Sequence, residues 1–387
     1  MKINFLVHDG ILEVGHTRAM IEVLRILGAK EEVSKIRIIC LHSDPVEKLF
    51  PENHDKVEII TVPGKGIKPF LLKSLFFQIY TYLNRKKLIS ESDQTITMGI
   101  CSFIGNIVNI QFYHRDWEKL YFKYNQGPFY KNLYKFILLK YFNLCEDYYY
   151  QKKNLRFGFL SKFIEKLMID RYRIEEKNFI TAYSSVNFSE FLPPEDFNLE
   201  KQKDLLTELS NQYPGLKNLD PNRPTLLFVG AFERKGLPRL LRNLPKDVNL
   251  IVIGKGEAHG KFKLPQREGI FPISYTTEIS KFYLIADAFV FPTVYEPFGL
   301  VVTEAVASGT QVLVTKEKVG ASEIVGSMEG VSFIAQDDEN FSMQLKALKK
   351  LTLDKRMEWS HLRKKELVSL TWFNCAESWW RLLNQSK

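Results

Sequence analysis

Two cations and two carboxylates in the second half of the chain have the types and spacing to hold a diphosphate and a sugar. The apolar run 225–230 (TLLFVG) is followed by Ala231, Phe232, Glu233, Arg234, Lys235 and Gly236, and then by a stretch with Pro238 in the first turn of a plausible helix. A guanidinium clasps phosphate oxygens through a planar fork and an ammonium adds a compact charge, so the pair suits a diphosphate. A solvated basic turn is the alternative. Further on, 287–292 (DAFVFP) leads into 293–309 (TVYEPFGLVVTEAVASG). Glu296 falls in the loop, and Gly299 lets the backbone approach a ligand where a helix begins. The N–H groups of Phe298, Gly299 and Leu300 are expected to point at an anion, with the helix dipole favouring it. Glu304, one to two turns into that helix, has the reach to accept hydrogen bonds from ribose hydroxyls. The alternative is a dipole-complementing acid followed by an ordinary surface glutamate.

Parallel strands alternating with helices would position these residues. In the first half, β-branched runs at 3–8, 35–41, 57–62, 94–100 and 106–113 alternate with helical stretches, and 157–161 and 178–184 extend the pattern. Residues 191–224 are polar, proline-punctuated and without a strand-like run, so the interdomain region is placed there. The alternation restarts at 225–230, 248–254, 287–292, 310–315 and 330–335. The expected organisation is a first α/β domain over 1–190, an interdomain region over 191–224 and a second α/β domain over 225–365. A C-terminal helix in 366–387 is expected to pack back on the first domain. In such sheets ligands sit beyond the carboxyl ends of the strands, where the four residues fall.

The 387 residues suit two domains, and 45% apolar with 26% charged residues is the balance of a globular protein with a large core. The start MKINFLVHDG passes at once from an apolar run to His8 and Asp9, unlike a secretory signal, and reads as a first strand. No apolar stretch is long enough for a spanning helix. Cys40, Cys101, Cys145 and Cys375 are scattered, which suggests neither a disulfide framework nor a zinc site and fits a reducing cytoplasm. The net charge of +9 allows nucleic acid, a phosphorylated substrate or an anionic membrane as partner. A nucleic-acid role has no recognisable motif behind it.

The second-half constellation resembles the retaining nucleotide-sugar glycosyltransferases of family GT4, whose signature E-P-F-G-x-x-x-x-E is met by Glu296 and Glu304. The resemblance extends to 286–292 (ADAFVFP), to 305–310 (AVASGT) and to 319–325 (VGASEIV), which is similar to the family's G-x-x-E-[IL]-V stretch. The turn FERKG resembles the wording of lipopolysaccharide-core glucosyltransferases, although Ala231 stands where many members carry Arg, and the chain as a whole resembles lipopolysaccharide-core and exopolysaccharide hexosyltransferases. The segment from Phe159 to Phe191 is similar to the family's closure of the first domain, with Val186 and Asn187 replacing the usual wording.

That resemblance implies an α/β GT-B fold, two Rossmann-like doubly wound domains facing across a cleft. It implies that Arg234 and Lys235 hold the donor pyrophosphate, that Glu304 holds the ribose and that Glu296 addresses the donor sugar. His114, after the run 106–113, is similar to the family's post-strand histidine that contacts the donor sugar; a structural histidine is the alternative. Gly15 opens a helical pattern as the family's glycine loop does and would let its N–H approach the donor phosphate, while an ordinary tight turn is the other reading. Read from the residues alone, His16 and Arg18 are candidates to contact acceptor or phosphate, with exposed helix-start residues as the alternative. Gly254, Lys255, Gly256 and Glu257 look like the family's turn near the nucleotide base, and Tyr275 is a further base or ribose neighbour.

The expected activity is retaining, metal-independent transfer of a hexose from a nucleotide-diphosphate sugar to a saccharide or lipid-linked acceptor. No cofactor beyond the donor is required. A catalytically silent nucleotide-binding partner and a GT-B epimerase are the rival readings. Residues 68–87 (KPFLLKSLFFQIYTYLNRKK) combine aromatic and basic residues. Such a helix suits either buried packing or an anionic inner-membrane surface, which would make the protein cytoplasmic and peripheral.

Overall fold

In a computed structural model the described residues are 1–90, 92–124, 128–256 and 262–385. The chain folds into two compact units. One comprises Met1–Asp116, Leu133–Ser185 and Leu370–Lys387, and the other Trp117–Asn132 and Val186–Ser369.

The strands of the first unit are β1 (Lys2–Leu6), β2 (Asp9–Gly10), β3 (Lys35–Cys40), β4 (His42–Ser43), β5 (Val57–Thr61), β6 (Gln94–Met98), β7 (Ile107–Ile110), β8 (Arg156–Phe159) and β9 (Phe179–Thr181). Seven of them form a parallel sheet in the order β5-β3-β1-β6-β7-β8-β9, and β2 pairs with β4. Sheets of this kind are buried on both faces, and β7 and β8 accordingly have every residue buried. Strand order reverses between β1 and β6, so the loops leaving their carboxyl ends diverge and open a crevice. The C-terminal helix Trp372–Asn384 packs on this sheet: the Trp379 indole lies 2.3 Å from where a Cβ on Gly158 would stand, and only glycine permits that approach.

The second unit contributes β10 (Thr225–Val229), β11 (Asn249–Ile253), β12 (Ile270–Ile273), β13 (Ala288–Phe291), β14 (Gln311–Val314) and β15 (Val331–Phe333). They form a parallel sheet in the order β12-β11-β10-β13-β14-β15, with the reversal between β10 and β13. Residues 191–224 contain no strand and hold the helix Leu199–Gln212. They belong to the second unit, whose longer segment begins at Val186.

Two sequence expectations change. The strand expected over 106–113 stops at Ile110, and His114 opens the helix His114–Tyr124 instead of closing the strand. The cause is an acceptor for the helix's first N–H groups, the Glu146 carboxylate described below. In addition, 68–87 splits at Asn84 into the helices Phe70–Leu83 and Arg85–Leu88. Among the described residues no helix is long and apolar enough to cross a membrane.

Candidate active site

The loop after β10 is set by backbone constraints. Gly230 and Gly236 have φ of 127° and 81°, and a Cβ on Gly236 would stand 2.0 Å from the Pro292 carbonyl oxygen after β13. That approach brings the two strand ends together at the reversal of strand order. Across it the Arg234 Nη1 donates to the Tyr295 carbonyl and to Glu296 Oε2, both at 3.1 Å, while the Lys235 ammonium forms an ion pair with the same Glu296 oxygen. Lys235 is buried, with Nζ 4.9 Å from the centre of the Phe291 ring. Burial first, and the Arg234 charge second, push its pKa well below the ordinary lysine range. The Glu296 backbone is clamped by the segment resembling the family stretch: its N–H donates to the Lys318 carbonyl at 2.7 Å and its carbonyl accepts from Gly320 at 3.0 Å. Arg234, Lys235 and Glu296 thus form one cluster with a formal charge of one positive unit.

Glu304 stands apart on the helix Leu300–Ala307. It is no ordinary surface residue, since it is 4% exposed and its Oε2 accepts from the Tyr283 hydroxyl at 3.1 Å. Gly299 caps this helix at φ 102°, with Phe298 buried before it and Leu300 partly exposed after it. The other end is held by two buried arginines. Arg356 donates to the Tyr283 and Ser308 carbonyls at 2.9 and 3.3 Å, and Arg363 to those of Val306 and Thr310 at 3.2 and 2.7 Å. Burial lowers their pKa values to about 10 and about 9. Cations on helix-terminal carbonyls complement the macrodipole.

Gly254, at φ 139°, closes β11 against the β10 loop, where a Cβ would meet the Gly230 carbonyl oxygen at 2.2 Å. Glu257 lies outside the described residues. Tyr275 follows β12 and is exposed.

In the first unit, the crevice between the ends of β1 and β6 is a pocket of about 180 Å³. His8, His16, Ser74 and His114 line it together with Phe70 and Phe142. His114 Nδ1 is 2.8 Å from Glu146 Oε1, which also accepts the His114 backbone N–H at 2.8 Å. Glu146 Oε2 accepts from the Arg115 N–H at 3.3 Å. Glu146 is fully buried, so one carboxylate both caps the helix and orients the imidazole. His8 sits edge-on to Phe70 and Phe77, and burial, then Lys73, lower its pKa to about 4. Its Nε2 and the Ser74 hydroxyl, 1% exposed, have no hydrogen-bond partner among the described residues.

His8, Ser74 and Glu146 were not singled out from the sequence. For Ser74 and Glu146 the available signal was a polar residue inside the aromatic runs 70–83 and 129–150. Gly15 and His16 begin the helix Gly15–Gly28 and are exposed, and Arg18 is partly exposed; a Cβ on Gly15 would meet nothing within 4 Å. The structure therefore joins Arg234, Lys235 and Glu296, holds Glu304 separately on Tyr283, and places His16 and His114 on a first-unit pocket.

Residues 212–365 match the family Glycosyl transferases group 1. An uncharacterized glycosyltransferase of Methanocaldococcus jannaschii is 27% identical over 169 residues, 40% of this chain and 41% of that protein. A glycogen synthase of Clostridium botulinum (strain Eklund 17B) is 25% identical over 235 residues, 53% and 49% of the two chains. The chain spans about half the length or less of these curated relatives. The crystal structure of WaaG, a glycosyltransferase involved in lipopolysaccharide biosynthesis, superimposes with a TM-score of 0.75 over 99% of both chains at 16% identity, a likeness of fold. Residues 212–365 therefore form a domain of the Glycosyl transferases group 1 family, in a chain with the α/β GT-B fold of parallel sheets.

Proposed function

We propose that the protein is a retaining glycosyltransferase that moves a hexose from a nucleoside diphosphate sugar to a saccharide or lipid-linked hydroxyl in the synthesis of a cell-surface polysaccharide, lipopolysaccharide or glycolipid. The observation that carries this reading is the Arg234, Lys235 and Glu296 cluster at the β10/β13 reversal. A diphosphate brings more negative charge than Glu296 supplies, so it competes for both cations and releases the carboxylate toward the sugar. The cations then stabilise charge growing on the departing diphosphate without a metal ion. The Phe298, Gly299 and Leu300 backbone adds to that stabilisation. Glu304, already oriented by Tyr283, takes the ribose, with Gly254 and Tyr275 toward the nucleotide.

In the first unit, the resemblance assigns Gly15 to the donor phosphate and His114 to the sugar, and His16 and Arg18 are the proposed acceptor contacts. Glu146 on Nδ1 directs the His114 Nε2 away from itself, as a sugar-facing imidazole requires. On this reading the protein works as a peripheral protein at the cytoplasmic face of the inner membrane.

The test is a thermal-shift panel of UDP-, GDP- and ADP-sugars, followed by an anomer-resolved NMR assay of the product. One donor should raise the melting temperature, with about 2.7 kcal/mol of stabilisation at a hundredfold excess over its Kd. Lys235→Ala should abolish both the shift and turnover. No shift with any donor, or an inverted product, would overturn the reading.

A further inference from the structure

The helix Phe70–Leu83 is inverted relative to an ordinary surface helix. Its inward side buries Ser74, Gln78 and Thr81 beside Phe77, while Leu72, Leu75, Ile79, Tyr82 and Leu83 face out. The polar groups on the inward side are largely used. Gln78 donates to the Ile100 carbonyl at 2.7 Å and accepts from Tyr141, and Thr81 shares a hydrogen bond with Ser102 at 2.8 Å. A soluble helix places its apolar stripe toward the core, so an exposed stripe of this length marks contact with an apolar partner.

The stripe forms one wall of a groove of about 440 Å³ whose other wall is the helix Phe129–Tyr150. Leu75, Ile79, Tyr82 and Leu83 face Leu144 and Tyr148 across it, and Leu83 and Leu144 are 71% and 68% exposed. Cations stand at the rim: the Arg85 guanidinium is 4.6 Å from the Tyr82 ring and the Lys152 ammonium 4.7 Å from that of Tyr148. From residue 64 to residue 90 the chain has Lys65, Lys68, Lys73, Arg85, Lys86 and Lys87 and no acidic residue. The groove and the pocket at the ends of β1 and β6 share no lining residue. Ser74 and Phe142 line the pocket, and their chain neighbours Leu75 and Tyr141 line the groove. Ser74 presents its unpartnered buried hydroxyl on the pocket side.

We propose that the groove seats the hydrocarbon chain of a lipid acceptor drawn from an anionic leaflet. This rests on the glycosyl-transfer reading and narrows its acceptor to a lipid. Apolar lining supplies the chain's binding energy, and the rim cations meet the anionic headgroups of the leaflet that delivers it.

The test is calorimetric titration of the full chain with lysophosphatidylglycerol below its critical micelle concentration. Its chain-free headgroup, glycerophosphoglycerol, is the companion probe. The lysolipid should bind, the headgroup should not, and Ile79→Glu and Leu144→Glu should each weaken lysolipid binding at least tenfold. Both side chains are half exposed or more, so the variants should fold. Met343→Glu, at an exposed apolar residue of the second unit, should bind as the native chain does.

Equal lysolipid binding by the groove variants would overturn the proposal. So would binding to phosphatidylglycerol vesicles without binding of the monomeric lysolipid, which would mean surface docking alone. A native dimer that either variant dissociates would instead make the face a contact between copies. The donor-induced thermal shift is measured on the same variants. Its persistence when lysolipid binding fails shows that the lipid proposal has failed and the glycosyl-transfer reading has not.

Discussion

The Lys235 ammonium and the Glu296 carboxylate meet as a largely buried ion pair where β10 and β13 part. Each residue comes from the loop that leaves one of those strands, so the pair ties together the two ends that the topology separates. The first unit has the same architecture at β1 and β6, but its crevice holds imidazoles, a hydroxyl, the Asp9 carboxylate and aromatic rings. On the proposed reading, the second unit's cations meet phosphate and the first unit's crevice meets a hydroxyl-bearing group.

Because the pair is largely buried, removing Glu296 leaves the Lys235 and Arg234 charges together without a carboxylate, whereas removing Lys235 leaves Glu296 to Arg234. Glu296→Gln alone should destabilise the protein by about 3 kcal/mol. Combining it with Lys235→Met should recover at least about 1 kcal/mol, because the two residues share one interaction. Urea unfolding of the native chain, both single variants and the double variant gives the coupling. Simple additivity would show that the pair contributes nothing in solution.

Tyr283 is a positioning residue for Glu304. Its hydroxyl bonds to Glu304 Oε2 at 3.1 Å and to the Val301 carbonyl at 3.2 Å, while its ring packs against Phe191 and Phe289. Tyr283→Phe keeps the ring and removes both contacts of the hydroxyl, of which the one to Glu304 is worth about 1 kcal/mol. The donor KM should rise about fivefold with kcat within a factor of two, since ribose binding is shared by the ground and transition states. An equal fall of kcat with unchanged KM would place Glu304 in the chemistry instead.

The sheet architecture was legible because buried parallel strands are apolar runs with punctuated ends, and the runs around Ile3, Ile38, Leu227 and Val290 are of that kind. The Arg234, Lys235 and Glu296 residues were legible too, each lying just past such a run. Their mutual contact was not, because adjacency at the β10/β13 reversal depends on strand order and on the Gly236 approach to Pro292, which no local spacing encodes. His114 was misplaced as a strand end because the residue that caps its helix, Glu146, lies 32 positions away. The inverted helix Phe70–Leu83 has apolar residues on both sides, so its periodicity left the exposed side undetermined.

His8 should make stability depend on pH. Its folded pKa, about 4, lies below the ordinary histidine value of 6.5, so between these values the unfolded chain binds the extra proton. Stability from this group is therefore complete above about 6.5 and lost as pH falls toward 4. The partly exposed site discounts the effect to on the order of 2 kcal/mol. His8→Asn should remove that contribution, so the loss of unfolding free energy between pH 7.5 and pH 4.5 should be smaller in the variant by that amount. An identical loss in both proteins would mean that His8 titrates normally when folded.

Two glycines should respond oppositely to the same substitution. Gly236→Ala adds a Cβ 2.0 Å from the Pro292 carbonyl oxygen at a φ of 81°. The β10 loop must shift, at a cost of at least about 2 kcal/mol, and carry Lys235 away from Glu296. Stability and donor binding should therefore fall together. Gly15→Ala adds a methyl group to a helix's first turn, where nothing lies within 4 Å. It should raise stability by about 0.5 kcal/mol through the unfolded chain. If the Gly15 backbone serves the donor phosphate, that methyl should also raise the donor KM about tenfold, because it occupies the line of approach. Thermal unfolding and donor titration of both variants check this, and unchanged donor binding in a stabilised Gly15→Ala would remove Gly15 from the site.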